Sequence, residues 1–193
     1  MSRQSYRASS IPTGARCVFQ GVLFDVYQWE QDLFDGTKAT FEKIARPDTV
    51  VIYPVLQDGR VMLVDEEQPS GKRKHCGAPA GRVEQNETPE EAARRELREE
   101  TGLACEELLL YSQVFPVQKL DWCVYTYIAK GCRSVGEPIL DAGERITPHP
   151  VTFDELLKVP LDDQDLGGLT LRLAMHAAEC HDENMDALKK LFS

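Results

Sequence analysis

The 193 residues contain no C-x-x-C pair, no excess of basic residues and no long apolar run. Six cysteines (Cys17, Cys76, Cys105, Cys123, Cys132 and Cys180) stand apart from one another. Their spacing suggests neither a zinc finger nor the disulfide framework of a small secreted domain, and buried thiols are expected. Lys and Arg number 22 against 32 Asp and Glu, a formal net charge of −10. So acidic a surface repels a phosphate backbone, which disfavours general nucleic-acid binding, and it attracts divalent cations. No stretch reaches the ~18 apolar residues that a membrane span needs. The N-terminal MSRQSYRASSIPTGAR carries basic residues with no apolar run behind them. A cytoplasmic protein that does not engage a membrane is expected.

What is present is an ordinary globular composition, 42% hydrophobic and 28% charged. A chain of this length buries roughly 70% of the surface its unfolded form exposes, enough for one large domain without disulfides or structural metal. Residues 1–16 read as a flexible polar lead-in. Residues 17–48 carry the runs VFQGVLFDVYQW and TKATFEKI around Asp35-Gly36, a strand and hairpin pattern. TVVIYPVL and RVMLVDE around Asp58-Gly59 predict a second hairpin. GKRKHCGAPAGRV has too much Gly and Pro for a helix and reads as a loop with one short strand at most. ELLLYSQVF, DWCVYTYIA and ITPHPVTF are further strand candidates. FDELLKV predicts a brief helix and LTLRLAMHAAECH a longer one over 169–181.

The strongest helical segment runs from Pro89 to Thr101. Thr88 serves as N-cap, Pro89 occupies the first turn, Glu91 closes a capping box and Gly102 ends the helix. Glu96, Glu99 and Glu100 fall at i, i+3 and i+4, so three like charges project from one side. On helix pattern alone two readings stay open. One is a solvated face paired with Arg94, Arg95 and Arg98; the other is a site where a hard divalent cation neutralises the carboxylates.

From Gly81 to Leu103 the sequence GRVEQNETPEEAARRELREETGL resembles the Nudix box, G-x5-E-x7-R-E-U-x-E-E-x-G-U with U aliphatic, at every defined position. The resemblance extends at lower specificity from about Val18 to Leu173, toward the branch of ADP-ribose and nucleoside-diphosphate-sugar pyrophosphatases. It implies a Nudix fold, an α+β (α/β/α) sandwich with a mixed sheet between helices and an N-terminal antiparallel strand extension. Residues 49–193 would form that domain, and residues 17–48 an element that pairs two copies into a homodimer. Two segments depart from the branch. Asp65-Glu66-Glu67-Gln68-Pro69 stands where an Arg-containing segment is usual, and Gly77-Ala78-Pro79-Ala80-Gly81 replaces E-L-P-A-G.

The resemblance also implies roles. Glu96, Glu99, Glu100 and the carbonyl of Ala80 would bind Mg²⁺ or Mn²⁺, and Glu87 and Arg95 would pair to hold the loop on the helix. Gly81 and Gly102 would serve its turns. Arg95, Glu99 and Glu144 form the expected catalytic set. The general base stays open among Glu144, Asp141 and a box glutamate. Lys43, Arg46 and Arg73 are candidates to contact a nucleotide-sugar substrate; solvated surface charges are the alternative for each. Trp122 and Tyr125 offer ring faces to a base or fill the core. Metal-dependent hydrolysis of a nucleoside diphosphate sugar leads, with a dinucleotide or triphosphate substrate as alternative. A non-catalytic nucleotide sensor is the reading from a different class.

Overall fold

A computed structural model describes residues 8–160 except 70, 72 and 141, together with 171, 174, 175 and 182–192. Strands β1 (Arg16–Gln20), β2 (Asp25–Asp32) and β3 (Lys38–Ala45) form an antiparallel sheet. Its turns are local chemistry. Gly36 takes φ 83° while Asp35 Oδ1 accepts from the Thr37 N–H at 2.9 Å and the Thr37 hydroxyl at 2.7 Å. The run VFQGVLFDVYQW is divided by a turn in which the Gly21 N–H donates to the Phe24 carbonyl.

The second sheet holds β4 (Thr49–Leu56), β5 (Val61–Glu67), β8 (Leu103–Ala104), β11 (Val124–Ser134) and β12 (Arg145–Val151) in the order β12-β5-β4-β11-β8. β6 (Arg73–Gly77) pairs with β5, β7 (Ala80–Arg82) with β4, and β9 (Glu107–Val114) with β11. β4 and β11 run parallel with Val50 opposite Tyr125, and the other pairs are antiparallel. The sheet is therefore mixed. A two-residue strand, β10 (Leu120–Asp121), runs parallel to β3 and joins the sheets through the chain that continues into β11.

Alternation along the strands separates two cores. Val50 and Ile52 face α1 (Pro89–Thr101), where Ala92, Ala93 and Leu97 are fully buried with Leu103, Tyr125 and Tyr127. Val51, Tyr53, Val55, Val61 and Leu63 face the other way, onto Leu156 of α2 (Phe153–Lys158) and Leu188 of α3 (Asp182–Leu191), with Leu171, Met175 and Phe192. Each fully buried leucine contributes about 2 kcal/mol of apolar transfer. The layers are those of an α/β/α sandwich, as expected. No helix among the described residues is long and apolar enough to cross a membrane.

Several expectations need correction. The Gly- and Pro-rich GKRKHCGAPAGRV carries two strands, because ladder bonds to β4 and β5 and the Ile52 N–H to Pro79 carbonyl bond at 2.9 Å draw it along the sheet. β11 runs on through GCRS, past a bulge where Gly131 takes φ 63°. Cys17 is exposed, and Cys76 and Cys105 are half-buried; only Cys123 and Cys132 are buried among the described cysteines. Of the lead-in, Ser9 and Ser10 are held. Both hydroxyls donate to Asp121, at 2.6 and 2.7 Å. α3 was not expected. Within the helix expected over 169–181, Leu171, Ala174 and Met175 are helical, and the remainder lies outside the described residues.

Candidate active site

The helix signals place the site. Thr88 Oγ1 accepts from the Glu91 N–H and the Glu91 carboxylate accepts from the Thr88 N–H, so the first turn is closed from both sides. Gly102 ends α1 in the left-handed region at φ 67°, its N–H on the Arg98 carbonyl. Fixed at both ends, α1 presents Glu96, Glu99 and Glu100 toward β7.

Arg95 organises this side. Its Nε and Nη2 donate to the two Glu87 oxygens at 2.9 and 3.0 Å, Nη2 also to the Arg82 carbonyl at 2.9 Å, and Nη1 to Glu96 at 2.7 Å and Glu99 at 3.0 Å. Glu87, against a cost of burial, and then Glu96 and Glu99 hold the guanidinium pKa above its ordinary value. The fork therefore fastens the loop to the helix and orients two of the three carboxylates.

Glu100 is the unusual group. It is 8% exposed and accepts from the Ala80 N–H at 3.2 Å. Burial, the Glu96 carboxylate and, more weakly, Glu66 and Glu144 push its pKa up to about 8, with the Ala80 bond opposing. Burial also raises Glu96, with Arg95 opposing and Glu99 and Glu144 adding. Five carboxylates thus share one field. Oxygen donors that repel one another at this density fit a hard divalent cation, and Glu96, Glu99 and Glu100 are the residues that would hold it. The alternative of a solvated, arginine-paired face fits Glu99 but not buried Glu100.

Gly81 makes room for this cluster. A Cβ built there would overlap the Glu96 carboxylate. Gly81→Ala is expected to weaken Mg²⁺ binding ~10-fold or more by calorimetry, with helix content unchanged by circular dichroism, because it displaces one carboxylate and leaves the caps intact. An unchanged affinity would show that Glu96 is not needed there.

Glu144 is exposed just before β12, close enough to Glu96 and Glu100 to raise both. Asp141 lies outside the described residues. Lys43 Nζ donates to Ser10 Oγ at 2.7 Å, and Ser10 in turn donates to Asp121, so Lys43 ties down the N-terminal segment. Arg46 is half-buried, its guanidinium 4.6 Å above the Trp122 ring and 5.9 Å from Phe24, with Nη2 on Thr49 Oγ1 at 3.4 Å. Trp122 and Tyr125 are both buried. Arg73 is not brought to this cluster. Its guanidinium meets Glu67 at 3.3 Å and lines a cavity with Cys76 and His149, which belong to the other face of the sheet. Sequence reasoning missed Glu66, although period-2 alternation along RVMLVDE already sets it on the Met62 side, the side of α1.

The NUDIX domain family matches residues 45–171. Over 144 residues the chain is 28% identical to the ADP-ribose pyrophosphatase of Bacillus subtilis (strain 168), covering 74% of this chain and 78% of that one. Over 143 residues it is 27% identical to the methanol dehydrogenase activator of Bacillus methanolicus, covering 73% and 77%. In fold it is similar to a crystal structure of an ADP compounds hydrolase, with TM-score 0.62 and 21% identity over 87% of this chain and 94% of that one. With the family match spanning well over half of its length, and the box glutamates gathered on one helix beside Gly81, the chain belongs to the Nudix hydrolase family.

Proposed function

We propose that the chain is a Mg²⁺- or Mn²⁺-dependent pyrophosphohydrolase of the ADP-ribose pyrophosphatase kind. It cleaves the diphosphate bridge of a nucleoside diphosphate sugar to a nucleoside monophosphate and a sugar phosphate. The observation that carries this reading is the repulsive carboxylate cluster, Glu96, Glu99 and buried Glu100 with Glu66 and Glu144 in their field. The similarity to an ADP-ribose pyrophosphatase supports the substrate class.

A bound divalent ion supplies charge neutralisation for the diphosphate and acidifies a water. The chain's own residues supply positions and a proton acceptor. Arg95 holds Glu96 and Glu99 in place, and buried Glu100 is oriented by the Ala80 N–H. Glu144 accepts a proton as the water oxygen bonds to phosphorus; the bridging P–O bond breaks and its electron pair leaves on the departing phosphate. In this reading Arg46, its guanidinium 4.6 Å from the Trp122 ring centre, and Lys43 bind the far end of the substrate. Phe19 and Val22 at one end of the N-terminal strands and Phe34 at the other remain exposed, apolar side chains that a second copy would cover in a homodimer.

Phosphate released through alkaline phosphatase from ADP-ribose, ADP-glucose, GDP-mannose, UDP-glucose, dinucleotides and nucleoside triphosphates, with and without Mg²⁺ or Mn²⁺, tests the reading. Metal-dependent release from a sugar nucleotide is the expected result. Release from triphosphates or dinucleotides alone moves the substrate class, and silence with metal bound points to a sensor. Glu144→Gln is expected to lower kcat ~100-fold or more while metal affinity stays within about twofold. A parallel loss of metal binding would make Glu144 a ligand instead of the base.

A further inference from the structure

β5 carries two chemistries to the two faces of one sheet. Glu66 joins the glutamates of α1, whereas Asp65, one residue earlier, continues the side of Val61 and Leu63. On that second side β12 supplies His149, directly opposite Leu63, and β6 supplies Cys76, which packs against the same core. One ligating atom from each of Asp65, Cys76 and His149 lies within 4.8 Å of the others.

The backbone is shaped for this meeting. Between the pairs Val64–Gly77 and Glu66–Lys74, β6 has one residue more than β5. This bulge puts Cys76 at φ 50°, a left-handed conformation that costs a non-glycine residue ~1–2 kcal/mol. The Cys76 N–H donates to Asp65 Oδ1 at 2.8 Å, which holds that carboxylate in place, and Oδ2 lies 3.7 Å from His75 Nδ1. Cys76 and His149 line a cavity of about 760 Å³, with Arg73, His75, Glu155 and Lys158 around it. A strained residue that brings a thiol beside an imidazole and a carboxylate at the edge of a cavity is more than core packing requires.

Thiolate, imidazole and carboxylate together make a mixed sulfur, nitrogen and oxygen donor set of charge −2. Such a set prefers Zn²⁺ and its neighbours to Mg²⁺, and three protein ligands are the number found where a fourth position stays open. We propose that Asp65, Cys76 and His149 form a second metal site, for a thiolate-binding divalent transition ion of the Zn²⁺ type, whose fourth position opens into the cavity. The site lies on the face of the sheet opposite the glutamates and goes beyond the hydrolase reading, on which it does not depend.

The test uses the full chain, reduced and stripped of metal, with Mg²⁺ in excess to occupy the glutamates. One equivalent of Zn²⁺ per chain should stay bound through gel filtration. Co²⁺ in its place should give a thiolate-to-metal charge-transfer band in the near ultraviolet. Cys76→Ser should remove the band, and His149→Ala should weaken Zn²⁺ affinity ~10-fold or more. Cys105→Ser, which alters a thiol on the α1 side beside Arg94, should change neither. Circular dichroism checks each fold; if Cys76→Ser does not fold, His149→Ala at its exposed position decides the matter. Absence of retained Zn²⁺, a band that survives Cys76→Ser, or unchanged affinity in His149→Ala overturns the proposal.

Discussion

Glu99→Gln lowers metal-dependent turnover ~10²–10³-fold and leaves the melting temperature within a few degrees of the parent protein. The size follows from removing one full negative charge where the diphosphate must be neutralised, about 3–4 kcal/mol of transition-state stabilisation. The fold is spared for a separate reason. The Glu99 side chain is 41% exposed and its link to Arg95 is a half-solvated i,i+4 pair, worth only a few tenths of a kcal/mol. Glutamine keeps an oxygen for Arg95 Nη1 and fills the same volume. Phosphate release at saturating substrate and a thermal melt read the two effects, and full activity would remove Glu99 from the machinery.

The metal-free protein is expected to lose stability between pH 5 and pH 8. Glu100 has a pKa in the folded protein of about 8, far above the ordinary carboxylate range. Its contribution to stability is therefore complete below that range and is lost as pH rises through about 8, at up to ~1.4 kcal/mol per pH unit. Glu96 is raised as well and adds with the same sign. Asp35, Asp58 and Glu155 are lowered, each first by a hydrogen bond from Thr37, Arg60 or Thr152 respectively, and their effects fall at more acid pH. Melting temperatures in a chelator across this window check the slope. Glu100→Gln should flatten it, since a neutral amide accepts the same Ala80 N–H, and millimolar Mg²⁺ should raise the high-pH end by binding the folded state alone. A flat profile in the parent protein would mean that Glu100 ionises without cost.

How much of this could be read from residues alone depended on range. α1 was legible to the residue, because Thr88, Pro89, Glu91 and Gly102 are local instructions that no tertiary contact overrides. The same spacing placed Glu96, Glu99 and Glu100 together. β6, β7 and β10 were not legible, since two to five residues pulled into register by neighbouring strands carry no periodicity of their own. α3 had a signal in Met185, Leu188 and Leu191 at three-residue spacing, masked by its charged remainder. Substrate candidates were the least legible. Arg46 and Arg73 are both cations near strand ends, yet one lies 4.6 Å over the Trp122 ring and the other pairs with Glu67 beside a cavity, a difference made by contacts across the fold.

Asp65 and Glu66 are neighbours on the chain and serve different faces only because a strand turns successive side chains in opposite directions. Insertion or deletion of a single residue between Arg60 and Asp65 would send each carboxylate to the other's side, exchanging the donors of both faces in one step, while a like change in the loop after Leu56 could be absorbed there. Length within β5 is therefore as constrained as identity, and variants of this chain that survive should vary the composition of that strand before its residue count.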